Sequence, residues 1–160
     1  MKEPLIVDSA NRFAICRVSI DVIVDLRHRM LRAGLPKETA NFPGDDDASS
    51  WHVGLFYPCA DGANTPVVTC ASFMLNTYKE QSAWQLRGMC TDAGHQSKGF
   101  GGKLLACAES AILKSSPVRL FWCNARVPAI PFYQREGWVV DSEVFDIPTA
   151  GPHRKLFKRA

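Results

Sequence analysis

Apolar and polar positions divide the first part of the chain into a strand, a helix and a loop. Weak alternation over 13–18 predicts a strand. Ser19 is a typical N-cap residue, and apolar side chains spaced for one helical face follow it until Gly34, which predicts a helix between the two. Segment 35–50 holds two prolines, a glycine and three consecutive aspartates, so a loop is predicted there.

Three further strands follow in the middle of the chain. Segments 51–57 and 66–75 are apolar runs joined by a turn at 58–65, which predicts an antiparallel pair. A polar connection leads from there to a third apolar run at 83–91, which is also predicted to be a strand.

The second half alternates helices with strands. Apolar side chains recur at helical spacing from Leu104 to Ile112, which predicts a helix after a cluster of glycines. The remaining predicted elements are a strand at 119–124, a short helix at 128–138 and two closing strands at 138–147 and 153–159. This order of elements predicts a single α/β (α+β) domain over residues 1–160.

Composition and charge exclude several classes of protein. With 46% hydrophobic and 22% charged residues, the 160-residue chain has the composition of a globular domain. A net charge of +3 is too small to indicate a nucleic-acid partner. No apolar run is long enough to span a membrane, and the first residues lack the apolar core of a secretory signal. We therefore expect a cytoplasmic protein that binds neither nucleic acid nor membrane.

The cysteines give no sign of a metal site. The six of them are widely spaced and form no C-x-x-C pair, which argues against bound zinc. No metal is expected, and reduced, mostly buried thiols fit a cytoplasmic location.

Three glycines within four positions, in the stretch 95–105, precede the second predicted helix. A Walker A loop is excluded because Leu104 stands where its hydroxyl residue belongs, and a dinucleotide fingerprint fails at its third glycine. What remains is Gln96-x-x-Gly99-x-Gly101 at a helix start. This pattern is typical either of backbone amides that hold a diphosphate or of a plain tight turn.

Together with a second motif, this pattern resembles the GNAT superfamily of N-acetyltransferases. Gln96, Gly99 and Gly101 meet the family's coenzyme A signature, [R/Q]-x-x-G-x-[G/A]. The later stretch ARVPAIPFYQREGW resembles the family's second motif at the following positions: Ala129, Phe132, Tyr133, Gly137 and Trp138. The resemblance is strong over 84–145, whereas the preceding residues resemble the family only in the order of their elements.

The resemblance implies a GNAT-type mixed, mostly antiparallel sheet that is flanked by helices and splayed between its fourth and fifth strands, here 83–91 and 119–124. Acetyl-coenzyme A (acetyl-CoA) is expected in that splay, with its pantetheine arm along the backbone of Met89, Cys90 and Thr91. Its pyrophosphate is expected on the backbone amides of these residues: Gln96, Ser97, Lys98, Gly99, Phe100, Gly101 and Gly102. Where the family has an asparagine, this chain has Arg126, and Asn124 lies two residues earlier, so both are candidate contacts to the cofactor arm.

The resemblance also implies a mechanism, in which an amine attacks the acetyl thioester directly. Tyr133 matches the position of the family's general acid, and a phenol with a pKa near ~10 is protonated at pH 7. The alternative role for Tyr133 is packing against Trp138 in the core. A backbone N–H near Met89 is expected to stabilise the oxyanion, and the amine is expected to lose its proton through water.

The resemblance implies that the acceptor site is formed by residues of the first helix, the loop after it and the late strands. His28, Arg87 and His153 are the candidate substrate-binding residues. Arg87 suits either a substrate carboxylate or a pairing with a loop aspartate, and the acidic run 45–47 suits either a cationic amine or a solvated loop. A small-molecule amine is the expected acceptor, while polyamines, amino acids, aminoglycosides and protein N-termini stay open.

Two other functions are compatible with the same residues. One is a GNAT-fold module that binds coenzyme A without transferase activity, and the other is acetylation of protein N-termini or lysines. A third alternative is a nucleic-acid or protein-interaction domain in which the glycine loop is purely structural. Many members of the family dimerise, so the resemblance suggests a homodimer.

Overall fold

The computed structural model describes residues 2–59 and 64–160. Within these residues the strands are β1 (Lys2–Asp8), β2 (Phe13–Val18), β3 (Trp51–Phe56), β4 (Val67–Tyr78), β5 (Gln81–Thr91), β6 (Leu120–Arg126), β7 (Val139–Val140), β8 (Phe145–Ile147) and β9 (Gly151–Arg159). The helices are α1 (Ile20–Leu31), α2 (Phe100–Ser115) and α3 (Ile130–Arg135), and 3₁₀ turns occupy Lys37–Ala40, Ala93–His95 and Val127–Ala129. None of the helices in the described segments is long and apolar enough to cross a membrane.

The strands form one mixed sheet in the order β1-β2-β3-β4-β5-β6-β9-β7, and β8 pairs with β9. Every pairing in the described residues is antiparallel except that of β5 with β6. These two strands pair only as far as Leu86 and Cys123, although β5 continues to Thr91 and β6 to Arg126. The mixed, mostly antiparallel sheet and the splay between its two expected strands are therefore confirmed.

A bulge in β5 accompanies this splay. Between the pairs Cys70–Cys90 and Ser72–Arg87, two residues of β5 stand opposite a single residue of β4. Gly88 lies in this bulge with φ of +61°, a backbone conformation that favours glycine. Because a bulge bends its strand and increases the local twist, it turns the last residues of β5 away from β6.

Helices cover both faces of the sheet. On one face, α1 packs Ile23 and Leu26 against β2 and β4. On the other face, α2 buries the predicted apolar stripe, including Leu104 and Ile112, in the main core, which α3 also joins. Since α1 contacts both β5 and the 3₁₀ turn Lys37–Ala40, the loop after α1 lies close to the bulge.

The structure corrects the predicted elements at both ends of the chain. The sequence pattern predicts no strand before 13, yet β1 pairs with β2 at the sheet edge. The sequence pattern does not reveal β1, because this segment contains Pro4 and most of its side chains are exposed. An edge strand tolerates proline and need not alternate buried with exposed residues. The chain end forms three strands rather than two. Of the predicted turn at 58–65, residues 60–63 lie outside the described residues.

Candidate active site

A cavity of about 400 Å³ opens where β5 and β6 separate. Its walls come from these strands, the end of α1 and the loop after it, α3, and the residues that lead into β9. Nine of the predicted site residues line it: Arg87, Met89, Cys90, Thr91, Gln96, Asn124, Arg126, Tyr133 and His153. Folding therefore brings together side chains that are widely separated in the sequence.

The last residues of β5 present an open backbone edge to this cavity. Because β6 pairs with β5 only up to Leu86, no strand of the described residues lies beside 89–91 on that side. The bulge before them requires glycine for a second reason, since a Cβ on Gly88 would lie 2.6 Å from Nε of Arg27. An unpaired edge of this kind binds an extended ligand as an added strand.

Segment 96–102 forms an open turn into α2. The side-chain Nε2 of Gln96 donates to the carbonyl oxygen of Thr91 at 3.1 Å, which fixes the start of the turn beside β5. Ser97 and Gly99 adopt positive φ angles of +62° and +78°. Within the described residues, the amides of 97–102 donate to no protein acceptor. Successive free amides at a helix N-terminus form an anion-binding site.

The other residues of this turn also serve packing. A Cβ on Gly101 would lie 3.4 Å from the ring of Phe132, and one on Gly102 would lie 2.8 Å from Oε1 of Glu136. A Cβ would therefore make nearly ordinary contact at Gly101, whereas at Gly102 it would displace the end of the Glu136 side chain. The ring of Phe100 is buried in the main core, so only its backbone amide is available to a ligand.

Tyr133 packs in the core and also reaches the cavity. Its ring is 7% exposed and packs against Trp138, with 5.6 Å between the ring centroids. The residue also lines the cavity, and its hydroxyl has no hydrogen-bond partner in the described part of the chain. Burial raises the pKa of the Tyr133 phenol above its ordinary value. The phenol therefore keeps its proton at neutral pH.

Asn124 and Arg126 lie on the same face of β6 but have different surroundings. Oδ1 of Asn124 is buried and has no hydrogen-bond partner among the described residues. Nη2 of Arg126 donates to the carbonyl oxygen of Leu31 at 3.2 Å, which links β6 to the end of α1. Since buried amide oxygens are nearly always hydrogen-bonded in proteins, Asn124 offers an acceptor to a ligand in the cavity.

Of the two histidines predicted for the acceptor site, His153 lies in the cavity and His28 lies outside it. His153 lines the cavity, and its Nδ1 lies 2.7 Å from the carbonyl oxygen of Gly151. Because that oxygen only accepts, Nδ1 carries the hydrogen, and Nε2 has no partner within the described segments. His28 does not line the cavity, and its Nε2 lies 2.8 Å from the carbonyl oxygen of Leu35.

A buried arginine, which the sequence pattern did not single out, holds the loop after α1 against the sheet. Arg27 is fully buried, and its Nη1 donates to Oδ2 of Asp45 at 2.7 Å and to the carbonyl oxygen of Ala40 at 2.9 Å. Its Nη2 donates to Oγ of Ser72 at 2.6 Å. A signal was present in the sequence, because Arg27 follows Ile23 by four positions and so falls on the apolar face of α1.

The acidic run 45–47 does not form a site for a cationic amine. Asp45 is buried against Arg27 and accepts a second hydrogen bond from the amide of Phe42 at 2.7 Å. Asp47 accepts hydrogen bonds from the amide and hydroxyl of Ser49, both at 2.8 Å. The run is therefore neither a solvated loop throughout nor a free cluster of carboxylates, because its first member is part of the core.

His52 extends this buried network. Its Nε2 lies 2.9 Å from the carbonyl oxygen of Asp45, and its Nδ1 lies 2.7 Å from Oγ of Ser72. Ser72 already accepts from Arg27, so its hydroxyl hydrogen is directed to Nδ1 and the imidazole is neutral with its hydrogen on Nε2. Burial lowers the pKa of His52.

The lowered pKa of His52 predicts a loss of stability in mild acid. The unfolded state protonates this histidine below about pH 6.5, whereas the folded state resists protonation. The unfolded state then binds more protons, so the free energy of unfolding is expected to fall as the pH drops from about 6.5 toward the lower folded pKa. Urea denaturation between pH 5 and 7.5 measures this slope.

The matched variants for this measurement are His52→Gln and His28→Gln. We expect the free energy of unfolding of His52→Gln to depend less on pH over this interval than that of the unchanged protein. For His28→Gln we expect a steeper dependence on pH than for His52→Gln. Equal slopes in the unchanged protein and His52→Gln would show that His52 does not couple protonation to folding.

The comparisons with known proteins agree with this architecture. The model of the acetyltransferase (GNAT) domain family matches residues 55–140. The chain is 33% identical over 141 residues to YitI of Bacillus subtilis (strain 168), an uncharacterised N-acetyltransferase, with 88% of this chain and 92% of that protein covered.

Two solved structures share the fold. Escherichia coli ElaA superposes with a TM-score of 0.72 at 14% identity, over 92% of this chain and 99% of its own. An aminoglycoside 6'-N-acetyltransferase complexed with coenzyme A superposes with a TM-score of 0.67 at 11% identity, over 91% of this chain and 96% of its own. From the family match and the relative at 33% identity, we conclude that the chain belongs to the GNAT superfamily and is an N-acetyltransferase, an enzyme that transfers an acyl group to an amine.

Proposed function

We propose that this enzyme transfers the acetyl group of acetyl-CoA to the amine of a small molecule by direct attack. The observation that carries this proposal is the cavity at the splay. Oδ1 of Asn124 and the hydroxyl of Tyr133 line it without partners among the described residues, beside the unpaired edge at 89–91. A hydrogen-bond acceptor, a proton donor and a strand edge thus face the same space.

The residues present fit acetyl-CoA. The open edge at 89–91 suits an extended arm with amide groups, and the buried Oδ1 of Asn124 suits one of its N–H donors. The free amides of 97–102 suit a pyrophosphate, and the ammonium of Lys98 lies on the same turn. When bound, acetyl-CoA supplies an acetyl thioester that is activated toward amines.

Tyr133 is assigned as the proton donor. Its phenol keeps the proton at neutral pH because burial raises its pKa. The hydroxyl has no competing partner in the described chain, so it is free to donate to a sulfur that develops negative charge. A backbone N–H near Met89 is assigned to the oxyanion, because the bulge places this residue on the open edge.

His153 is assigned as the group that receives the proton of the amine, directly or through water. Its Nε2 carries the lone pair, since Nδ1–H donates to Gly151. Asp92, at the end of β5, is a poorer base because hydrogen bonds from Arg29 and His95 lower its pKa to about 2. His52 is excluded from this role because both of its ring nitrogens are engaged.

The setting of the enzyme is part of the same proposal. All strands of the described residues belong to one sheet, which supports a single domain over 1–160. All six cysteines are free thiols, which supports a reducing, cytoplasmic location. A homodimer stays a prediction from the family resemblance, to be tested by the mass of the protein in solution.

Thermal unfolding in the presence of acetyl-CoA tests the cofactor. A ligand that binds only the folded state at 100 times its Kd is expected to stabilise the protein by ~2.7 kcal/mol. For a domain of this size, that increase corresponds to a rise in Tm of roughly 5–11 °C. The absence of any shift at millimolar acetyl-CoA would contradict the proposed cofactor.

Gly99 and Gly34 provide a matched pair of variants for this test. Both have φ near +80°, and an added Cβ would meet nothing within 4 Å at either position. Valine is therefore expected to strain the backbone similarly at both. Only Gly99→Val changes the turn that offers free amides, so it is expected to weaken acetyl-CoA binding roughly tenfold, or ~1.4 kcal/mol, whereas Gly34→Val leaves binding unchanged.

Turnover separates the proposed enzyme from a module that only binds coenzyme A. We expect release of free thiol from acetyl-CoA when a panel of small amines is added. Binding without thiol release from any amine in the panel, together with acetylation of peptide N-termini or lysines, would instead favour a protein acetyltransferase.

A further inference from the structure

The charged side chains that line the cavity are all of one sign. Arg32, Arg87 and Arg126 contribute these charges as guanidinium groups. No aspartate or glutamate of the described residues lines the same space. A cavity that receives a cationic polyamine would be expected to show the opposite sign.

None of the three guanidinium groups is neutralised by a carboxylate in the described chain. Nη1 of Arg32 and Nη2 of Arg126 both donate to the carbonyl oxygen of Leu31, at 3.0 and 3.2 Å. Nη1 of Arg87 donates to the carbonyl oxygen of Pro43 at 3.2 Å. Since a guanidinium carries five N–H donors, each of these arginines keeps donors for a further partner.

Two of these arginines converge on one aromatic ring. The guanidinium carbon of Arg87 lies 4.7 Å from the ring centroid of Phe42, and that of Arg32 lies 5.3 Å from it. Arg27 also contacts this ring, at 4.3 Å, but its charge is compensated by Asp45. Phe42 lines the cavity and therefore holds Arg32 and Arg87 on the same side of it.

This arrangement is costly to the protein in the absence of an anion. Burial and the charges of Arg126 and Arg27 lower the pKa of Arg32, and burial lowers that of Arg87 although Asp45 acts in the opposite direction. Like charges held close together in a partly buried site repel each other. An oxyanion bound between them would relieve this repulsion and accept two parallel N–H bonds from a guanidinium.

We propose that the acceptor is a small amine that also carries an oxyanion group, a carboxylate or a phosphate, which Arg32, Arg87 and Arg126 bind beside Phe42. The proposal rests on the proposed acetyl transfer, because it assigns these arginines to the acceptor in the same cavity. It narrows the acceptor to amines that carry a carboxylate, as amino acids do, or a phosphate. It excludes polyamines and aminoglycosides, whose only charged groups are cationic.

The test compares amines that differ in charge. Thiol release from acetyl-CoA is measured with glycine and L-glutamate, with O-phosphoethanolamine, with ethanolamine as an amine of similar size that has no anionic group, and with spermidine and kanamycin. We expect kcat/KM to be at least tenfold higher for an amine that carries a carboxylate or a phosphate than for ethanolamine. Whether the carboxylate amines or the phosphate amine react faster shows which of the two oxyanions the site binds. A higher kcat/KM for spermidine or kanamycin would overturn the proposal.

Variants locate the oxyanion. Arg87→Gln and Arg126→Gln are expected to raise KM for the preferred amine by about 10- to 100-fold, as for loss of a hydrogen bond to a charged group, with a smaller change for ethanolamine. Arg119→Gln is the control, since Arg119 is exposed at the opposite end of β6 and lies outside the cavity. An unchanged KM in both cavity variants would contradict the assignment.

Thermal unfolding with acetyl-CoA and the preference among amines distinguish a failure of the proposed function from a failure of the proposed acceptor. Acetyl-CoA should stabilise Arg87→Gln against thermal unfolding as it does the unchanged protein, and Arg87→Gln should unfold at the same temperature or higher because an unpaired charge is removed. Loss of acetyl-CoA stabilisation in the unchanged protein would count against the proposed function. If acetyl-CoA stabilises the unchanged protein but cationic amines are the better acceptors, the proposed function stands and only the oxyanion-bearing acceptor is contradicted.

Discussion

Replacing Tyr133 by phenylalanine is expected to lower kcat by ~10²–10⁴ with little change in KM for the amine. The substitution removes only the hydroxyl, which has no partner among the described residues and lines the cavity. The ring keeps its packing against Phe132 and Trp138, at centroid distances of 5.1 and 5.6 Å. The free energy of unfolding should therefore stay close to that of the unchanged protein, and steady-state kinetics with urea denaturation measures both quantities.

Tyr78 is a matched control for this experiment. It is buried to nearly the same extent as Tyr133, with 6% against 7% of its surface exposed. Its hydroxyl donates to Oδ2 of Asp141 at 2.6 Å, outside the cavity. Tyr78→Phe is therefore expected to cost ~1–2 kcal/mol of stability while kcat is retained. If Tyr133→Phe also retained kcat, the tyrosine would have a packing role only.

Replacing Asp45 by asparagine is expected to destabilise the protein by ~3–5 kcal/mol, because it leaves the charge of Arg27 buried without a counterion. Arg27 is 0% exposed, and Asp45 supplies its only carboxylate among the described residues. Typical domains have ~5–15 kcal/mol of stability in total, so this substitution removes a large share. Urea denaturation at pH 7 measures the loss.

Two further variants show whether the effect comes from the buried pair. Asp46→Asn changes the neighbouring aspartate, which is exposed, and is expected to change stability by no more than ~0.5 kcal/mol. The double variant Arg27→Met, Asp45→Leu removes both charges and is expected to be more stable than Asp45→Asn alone. A double variant as unstable as the single one would show that the loss comes from the other contacts of the loop.

The buried pair also matters for the active site. Arg27 contacts the ring of Phe42 and leaves no room for a Cβ on Gly88. Phe42 in turn contacts Arg87, which lines the cavity. Through these contacts the pair supports both the bulge in β5 and the side of the cavity that we assign to the acceptor.

The parts of the fold that the sequence predicts well are those with local signals. The helices and most strands follow hydrophobic periods that can be read within one segment, such as the stripe from Leu104 to Ile112. β1 gives no such signal because an edge strand buries little of its surface and here contains Pro4. The 3₁₀ turn Lys37–Ala40 lies within the predicted loop, which is more ordered than its composition suggests because it is tied to Arg27.

The sequence by itself determined the family and predicts where the cofactor binds. Gln96, Gly99 and Gly101 lie within six positions at one helix start, and Tyr133 belongs to a second short motif. Chemistry of this kind depends on local backbone geometry, so it is visible in a short stretch of residues.

Only the tertiary structure decided what surrounds the acceptor. Arg32, Phe42, Arg87 and Arg126 come from four separate segments, and their local sequence does not show that they line one cavity, without a carboxylate of the described residues beside them. Likewise Asp45 belongs to a run that suits a free acidic cluster until folding buries it against Arg27. The sign of charge in the cavity depends on which long-range contacts neutralise which groups, because electrostatic energies in a partly buried site follow distance and burial rather than order along the chain.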